Sequence, residues 1–172
     1  MVKISERRRR GQRGNAFVEF GLSMLPYFAL VFGILDFGMA VFIDNMIQSA
    51  VREGVRYAIT YKDDFNSVCS TSPLTKSQTC AIKEAAKSVS MGFLSGTTNA
   101  AYLQVNYYAP TDLSTKLTSN QNAPGNVVEV RVQGFPWNWM VPLPGYMVGP
   151  GVTMTASATD VLPAFGGTLP TP

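Results

Sequence analysis

Two carboxylates are the only charged groups in a long apolar stretch near the N-terminus. Glu19 and Asp36 are the only charged residues between Gly14 and Ile43. A carboxylate in a membrane helix costs about 2.5–3.5 kcal/mol at the bilayer centre and less near an interface. Glu19 therefore requires compensation. It can reach back to the lipid headgroups and favour the positive end of its own helix, or it can pair with a cation on another molecule.

A cation of the second kind would form if the chain were cut after Gly14. Asn15 would then carry a new terminal ammonium group four residues before Glu19. A buried carboxylate could pair with this ammonium on a neighbouring subunit, because an unpaired charge in lipid is unfavourable. Glu19 would then act as a docking signal between subunits.

The sequence contains few of the residue combinations that form enzyme active sites. The chain has no histidine, which excludes Ser-His-Asp and Cys-His sites and zinc-hydrolase motifs. The acidic residues outside the helix are mostly scattered, although spacing alone does not exclude a two-carboxylate glycosidase. They are Asp63, Asp64, Glu84, Asp112, Glu129 and Asp160. We expect no enzyme, no catalytic residues, no cofactor and no metal site.

A helix that begins at Asn15 would be long enough to cross a bilayer. The charge-free run from Phe20 to Leu35 is shorter than the ~20 residues that a spanning helix needs. From Asn15 to Asp36, however, the rise is roughly 32 Å, about the thickness of the hydrocarbon core. Glu19 would lie about one turn inside the near interface, and Asp36 would reach the far one.

The flanking charges predict the orientation of this helix. Residues 1–14 hold Lys3 and five arginines against Glu6, a net charge of +5, whereas the remainder holds 8 Lys/Arg against 10 Asp/Glu. Short basic flanks stay cytoplasmic, so the rest of the chain is expected outside. An Arg-rich run can also bind nucleic acid or anionic lipid, but its position beside an apolar helix favours the topological interpretation. We expect a membrane protein with no nucleic-acid partner.

A cleaved secretory signal is the alternative for this N-terminus. Such signals have a shorter apolar region and a small-residue cut site. Gly38-Met39-Ala40 is the only passable candidate, and it follows Asp36. The pattern therefore favours a helix that stays in the protein.

The helix is expected to continue beyond the membrane to about Tyr61. Apolar residues recur at spacings of three and four or their multiples, while polar residues fall on another face. The apolar positions are Phe37, Val41, Ile47, Val51, Val55 and Ala58. Pro26 should kink the helix without ending it.

The remaining pattern predicts an α+β fold, in which the long N-terminal helix precedes a small domain. A second helix is expected from Cys80 to Leu94. Alternation predicts strands at Leu103–Tyr107, Val128–Val132 and Val152–Ala158. We expect one or more helices to pack on a three-stranded or slightly larger antiparallel sheet.

Three connecting segments lack this periodicity. Thr111–Gly125 is predicted to be a polar loop, and Pro163–Pro172 a flexible tail. The apolar segment 135–148 contains three prolines and cannot be a central strand. It is either a loop under the sheet or an exposed patch for a partner or the membrane surface. The predicted organisation is a leader at 1–14, unstructured through Arg13, a helix at 15–61, a domain at 62–162 and a tail at 163–172.

The two cysteines, Cys69 and Cys80, lie in the part of the chain expected outside the membrane. An oxidising compartment favours one disulfide between them. In the chain-entropy model, closing this loop stabilises the domain by on the order of 3 kcal/mol. Without histidine, two cysteines make a poor metal site.

The N-terminal pattern resembles a known processing site. A basic leader, then Gly14, four residues, Glu19 with an aromatic after it, and an apolar helix is similar to the prepilin-peptidase site of type IV pilins. Further segments resemble the TadE-like pseudopilins of tight-adherence (Tad/Flp) pilus systems. These are Gly14-Asn15-Ala16-Phe17-Val18-Glu19-Phe20-Gly21-Leu22, Pro26, Phe32-Gly33-Ile34-Leu35-Asp36-Phe37-Gly38 and Ala50-Val51-Arg52-Glu53-Gly54-Val55-Arg56-Tyr57-Ala58.

The resemblance implies a pilin-like fold and cleavage by prepilin peptidase after Gly14. Asn15, Glu19 and Phe20 would complete the processing motif, and Asn15 and Glu19 would dock subunits. Implied partners are the peptidase, other pilin subunits and the inner-membrane assembly platform of an adhesive pilus or related secretion system. The implied location is the bacterial inner membrane, which the chain would cross once, with a cytoplasmic N-terminus and a periplasmic C-terminal domain. Incorporation into an extracellular pilus stays an open alternative. The alternative is an uncleaved single-pass envelope anchor with a structural, partner-binding outer domain.

Overall fold

A computed structural model describes residues 5–63, 65, 77–95, 99, 101–119, 121–140, 151–167, 169–170 and 172, with side chains from residue 16 onward. Its elements are α1 (Ser5–Ala58), α2 (Gln78–Val89), β1 (Leu103–Ala109), β2 (Asp112–Lys116), β3 (Val127–Trp137) and β4 (Val152–Val161). The strands form one antiparallel sheet in the order β2-β1-β3-β4. The fold is α+β, as predicted.

The chain forms two compact units. The first groups α1 up to Ala40 with Trp139 and Met140. The second, called the outer domain below, begins at Val41 and contains the rest of α1, α2 and the whole sheet.

The core of the outer domain follows the predicted alternation. Val128, Val130 and Val132 of β3 are fully buried, and the residues between them are more exposed. In α1, the predicted positions Ile47, Val51, Val55 and Ala58 are buried, but Phe37 and Val41 are exposed. Periodicity therefore identified the stripe correctly from Ile47 onward and extended it too far toward the N-terminus.

Gly54 lies where α1 comes close to both α2 and β3. A Cβ atom added to Gly54 would lie 3.1 Å from Val130 Cγ1 in β3 and 3.4 Å from Ala86 Cβ in α2. The missing side chain lets α1 and α2 pack against the same face of the sheet. Burial of this face supplies most of the stabilisation of the domain.

A buried amide joins the end of α1 to three other segments. Gln78, at the start of α2, is fully buried and donates from Nε2 to the carbonyl oxygen of Ala58 (3.0 Å). Its Oε1 accepts from Nδ2 of Asn122 (3.2 Å), and the same Nδ2 donates to the carbonyl of Pro170. The last carbonyls of a helix have no partner within the helix; the Ala58 carbonyl accepts from both Gln78 Nε2 and the Tyr61 N–H, so it needs no water.

The ends of both helices differ from prediction. α1 begins at Ser5, so the prediction that residues up to Arg13 are unstructured is wrong from Ser5 onward. Arg, Glu and Gln are good helix formers, and extending an existing helix avoids the cost of nucleation. α1 ends at Ala58 rather than at about Tyr61. Tyr61 itself has a φ of 55°, which is not helical. α2 occupies Gln78–Val89 rather than Cys80–Leu94, and Ser77 caps its N-terminus.

The sheet has four strands, which agrees with the prediction of a three-stranded or slightly larger sheet, but the fourth strand, β2, lies in the segment Thr111–Gly125 that was expected to be a loop. All five residues of β2 are exposed, so the strand has no buried face and no alternating pattern. β3 lies between β1 and β4 and extends to Trp137, so the prediction that segment 135–148 is a loop or an exposed patch and no part of a central strand is wrong for residues 135–137. Pro136 is tolerated there because β1 pairs with β3 only as far as Val132.

The C-terminal segment makes several contacts with the outer domain, and the flexibility of the 163–172 tail stays a prediction. The ring of Phe165 stacks on Tyr61 with centroids 4.7 Å apart. The Tyr61 hydroxyl donates to the carbonyl of Pro163 (2.8 Å), and Ser77 Oγ donates to the carbonyl of Pro172 (3.2 Å). These contacts join residues far apart in the sequence, so no local pattern predicted them.

The predicted disulfide stays a prediction. Cys80 lies in the first turn of α2, and Cys69 lies outside the described residues.

Replacing Gly54 should destabilise the outer domain. In Gly54→Val the new methyl groups would overlap Val130, so we expect the free energy of unfolding to fall by about 1–3 kcal/mol. Urea denaturation of the full chain in detergent, followed by circular dichroism, measures this change. The control is Gly166→Val, because nothing lies within 4 Å of a Cβ at Gly166. Equal stability of the two variants would contradict the close packing at Gly54.

Truncating Gln78 should also destabilise the domain. Gln78→Ala removes one of the two donors to the Ala58 carbonyl, the other being the Tyr61 N–H, and deprives the Asn122 amide of one acceptor. The expected loss of unfolding free energy is about 1–3 kcal/mol. Gln133→Ala, at an exposed position in β3, is the matched control and should change stability by less than about 0.5 kcal/mol. Similar small effects for both variants would show that the buried amide contributes little.

Candidate functional site

The first part of α1 displays an apolar surface that the chain does not cover. Large apolar side chains between Ala16 and Phe42 are mostly exposed, for example Phe28 at 51%. The exposed ones are Phe17, Val18, Phe20, Leu22, Leu25, Tyr27, Phe28, Leu30, Phe32, Ile34, Leu35, Phe37, Met39, Val41 and Phe42. Soluble monomers rarely expose so extensive a patch. Within the described residues, Ala16–Ala58 is a helix long and apolar enough to cross a membrane.

The exposed apolar surface of α1 contains interacting aromatic rings and a glycine with open space around it. Tyr27 and Phe28 meet edge to face, and Phe28 and Phe32 stack one turn apart with centroids separated by 6.1 Å. Pro26 lies within α1 and does not end it, as predicted. Nothing lies within 4 Å of a Cβ added at Gly33. Its open face leaves room for the close approach of another helix.

The predicted processing residues all lie on continuous helix. Gly14 and Asn15 are helical in backbone, and their side chains are not described. Asn15 precedes Glu19 by one helical turn, a rise of about 6 Å, which places both on the same face. Glu19 and Phe20 are exposed. Among residues whose side chains are described, Glu19 has neither a hydrogen bond nor an ion pair, so its carboxylate is open to another molecule.

Asp36, the second carboxylate of the apolar stretch, has a different environment. It is only 6% exposed, and the backbone N–H of Met140 donates to both of its oxygens, at 3.2 and 3.0 Å. The carboxylate therefore serves a contact within the first compact unit. Sequence analysis placed Asp36 at an interface but missed this partner, since a backbone donor 104 positions away leaves no sequence signal.

The polar groups of the outer domain make structural contacts. Glu129 accepts from Asn106 Nδ2 (3.0 Å) and from the Tyr108 hydroxyl (2.9 Å) across the β1–β3 pair. Burial and then the Glu129 carboxylate raise the pKa of Tyr108. Hydrogen bonds from Ser114, with a smaller contribution from Thr115, lower the pKa of Asp112 to about 2. Asp112 is thus ionised at neutral pH and is a poor proton donor.

Described parts of the outer domain offer little room for a ligand. A shallow depression of about 130 Å³ is lined by Gln48, Val51, Arg52, Thr155, Ala156 and Ser157. Small-molecule sites are commonly at least ~300 Å³ and mostly apolar. No cluster of three or more His, Cys, Asp or Glu able to hold a metal ion occurs among the described residues.

Comparison with known proteins finds one similarity, which covers most of α1. No curated protein and no solved structure matches the chain. Residues 14–56 match the family model described as TadE-like protein. The matched segment begins at the predicted cleavage residue Gly14 and ends in the buried part of α1. TadE-like proteins are a structural, pilus-related kind of protein, and residues 14–56 of this chain are similar to that family.

Proposed function

We propose that this chain is a pilin-like component of a Tad pilus system, anchored by α1 in the bacterial inner membrane. The observation that carries the proposal is the exposed apolar surface of α1, which lies within the segment that matches the TadE-like family. The basic residues before Gly14 would stay in the cytoplasm, and the outer domain would face the periplasm.

In this proposal prepilin peptidase cleaves after Gly14 and Glu19 directs assembly. Cleavage gives Asn15 an ammonium group at the membrane interface. The Glu19 carboxylate is exposed and has no partner among the described side chains, so it can accept the ammonium of a neighbouring subunit. In the low-dielectric environment of lipid, this attraction is stronger than in water. Other pilin subunits and the inner-membrane assembly platform are the proposed partners.

This pairing would change what α1 contacts. Before assembly, lipid covers its apolar side chains; in a filament, the helices of other subunits would replace the lipid. The open face at Gly33 allows helices to approach closely. The chain would thereby pass from the membrane into an adhesive pilus or secretion filament, or help to initiate one.

One observation favours a second candidate, an uncleaved envelope anchor. α1 is continuous from Ser5 through Gly14 to Ala58, so the proposed cleavage bond lies within a helix. A chain that kept its leader would remain a single-pass anchor whose outer domain binds partners in the envelope. The two candidates differ in the N-terminal residue of the mature protein.

Sequencing the N-terminus of the membrane-extracted protein separates the candidates. Where the peptidase is active, we expect a chain that begins at Asn15. A Gly14→Leu variant is the control and should keep its leader, because the new side chain changes the residue at the cut. An intact leader on the unmodified chain would favour the uncleaved anchor.

Removing the charge of Glu19 should impair assembly. Glu19→Gln keeps the size of the side chain but cannot form an ion pair. Loss of about 1.4 kcal/mol of pairing corresponds to a tenfold change in an equilibrium, so we expect at least about tenfold less of the chain in sheared filaments. Ser23→Ala, which alters an exposed polar residue of the same helix, should leave the amount unchanged. Normal incorporation of Glu19→Gln would contradict the docking role.

A further inference from the structure

Asp36 fixes a distant part of the chain to α1 at a defined depth. Along the helix axis, Asp36 lies roughly 32 Å from Asn15, about the thickness of the hydrocarbon core. If Asn15 lies at one membrane interface, Asp36 lies near the other. Both of its carboxylate oxygens accept the backbone N–H of Met140. The hydrogen bond therefore places Met140 at the level of the outer lipid headgroups.

The residues held at this level are apolar. Met140 is 68% exposed, although it is a large apolar side chain. Trp139 is half-buried, and its Nε1 is shielded from solvent and has no hydrogen-bond partner among the described residues. Whatever Trp139 exposes is thus not its polar N–H group. Trp139 and Met140 belong to the compact unit of α1 up to Ala40, rather than to the outer domain.

Lipid is the occupant that best fits these observations. The N–H of Met140 is bonded to Asp36 of α1, and the side chain of Met140 is exposed, as are Phe37 and Met39 on either side of that helical turn. Tryptophan is enriched at the boundary between hydrocarbon and headgroups. The hydrogen bond to Asp36 satisfies the Met140 N–H, so this backbone group can approach lipid without losing a partner.

We propose that Trp139 and Met140, held to α1 by the Asp36 carboxylate, form a second membrane contact on the outer surface of the bilayer. This inference rests on the proposed membrane-spanning role of α1. The contact would fix the point at which α1 leaves the membrane and would restrict tilting of the helix.

Tryptophan fluorescence in liposomes tests the contact, because the chain has only two tryptophans. In the full-length Trp137→Phe variant, Trp139 is the only tryptophan. Lipids brominated high on the acyl chains, near the headgroups, should quench its emission at least about twofold more than lipids brominated near the bilayer centre. Aqueous iodide should quench it weakly. Strong quenching by iodide without quenching by brominated lipid would overturn the proposal. Protection from both quenchers that depends on protein concentration would indicate a second copy as the occupant and would also overturn it.

Variants of Asp36 in the same Trp137→Phe background test the attachment. Asp36→Ala removes the acceptor of the Met140 N–H, so quenching by the brominated lipid should fall and quenching by iodide should rise. Asp36→Asn keeps an acceptor oxygen and should retain most of the lipid quenching. Unchanged quenching in Asp36→Ala would overturn the role of Asp36.

A charge at position 140 tests the lipid contact itself. Met140→Asp should lower quenching of Trp139 by lipid, since a carboxylate resists entry into the bilayer. Met91→Asp is the matched control: Met91 is 70% exposed, lies in the outer domain and has φ of 50°, which aspartate tolerates. Equal quenching in the two variants would overturn the proposal.

Co-flotation with the liposomes separates this inference from the proposed function. If the chain fails to float, the membrane-spanning role of α1 is wrong. If it floats but Trp139 is not quenched by lipid, α1 still anchors the chain and only the second contact is wrong.

Discussion

Water is a poor solvent for the first part of α1, and this constraint organises the protein. One continuous helix has two environments. Phe28 and other large apolar side chains up to Phe42 are exposed, whereas Ile43 and Ile47 are completely buried. For large apolar side chains the change occurs between Phe42 and Ile43, within continuous helix, although Ala40 is already buried. A single helix can therefore be solvated by lipid along one part and form the core of a soluble domain along the next.

The two carboxylates of this helix have opposite environments. The chain itself compensates Asp36 with a backbone hydrogen bond, whereas Glu19 has no partner among the described side chains. A charged group in an apolar environment favours any state that supplies a countercharge. In the proposed function, pairing with a neighbouring subunit would supply this countercharge to Glu19, whereas Asp36 already accepts the backbone N–H of Met140.

Sequence periodicity revealed the elements whose burial repeats locally. The spacing of Ile47, Val51 and Val55 identified the buried stripe of α1, and the alternation of Val128 and Val130 identified β3. β2 escaped prediction because neither of its faces is buried. The sequence also hid the attachment of the C-terminus through Tyr61 and the contact between Asp36 and Met140, because both join residues about 100 positions apart.

The residues of the candidate site could be predicted from the sequence more completely than the details of the fold. A charge within an apolar helix is visible in the sequence itself, and the family match begins at the predicted cleavage residue, Gly14. Whether a given carboxylate is compensated depends on distant chain segments. Only the structure distinguishes Glu19 from Asp36 in this respect.

Covalent trapping of the proposed ion pair tests the central claim most directly. Filaments assembled from a mixture of isotopically light and heavy subunits are treated with a carbodiimide, which joins an adjacent amine and carboxylate without a spacer. Mass spectrometry should then find an amide between the N-terminal amine of Asn15 and the side chain of Glu19, with light and heavy peptides combined in one product. Assembled filaments with a free Asn15 amine that never joins to Glu19 of another copy would contradict the account.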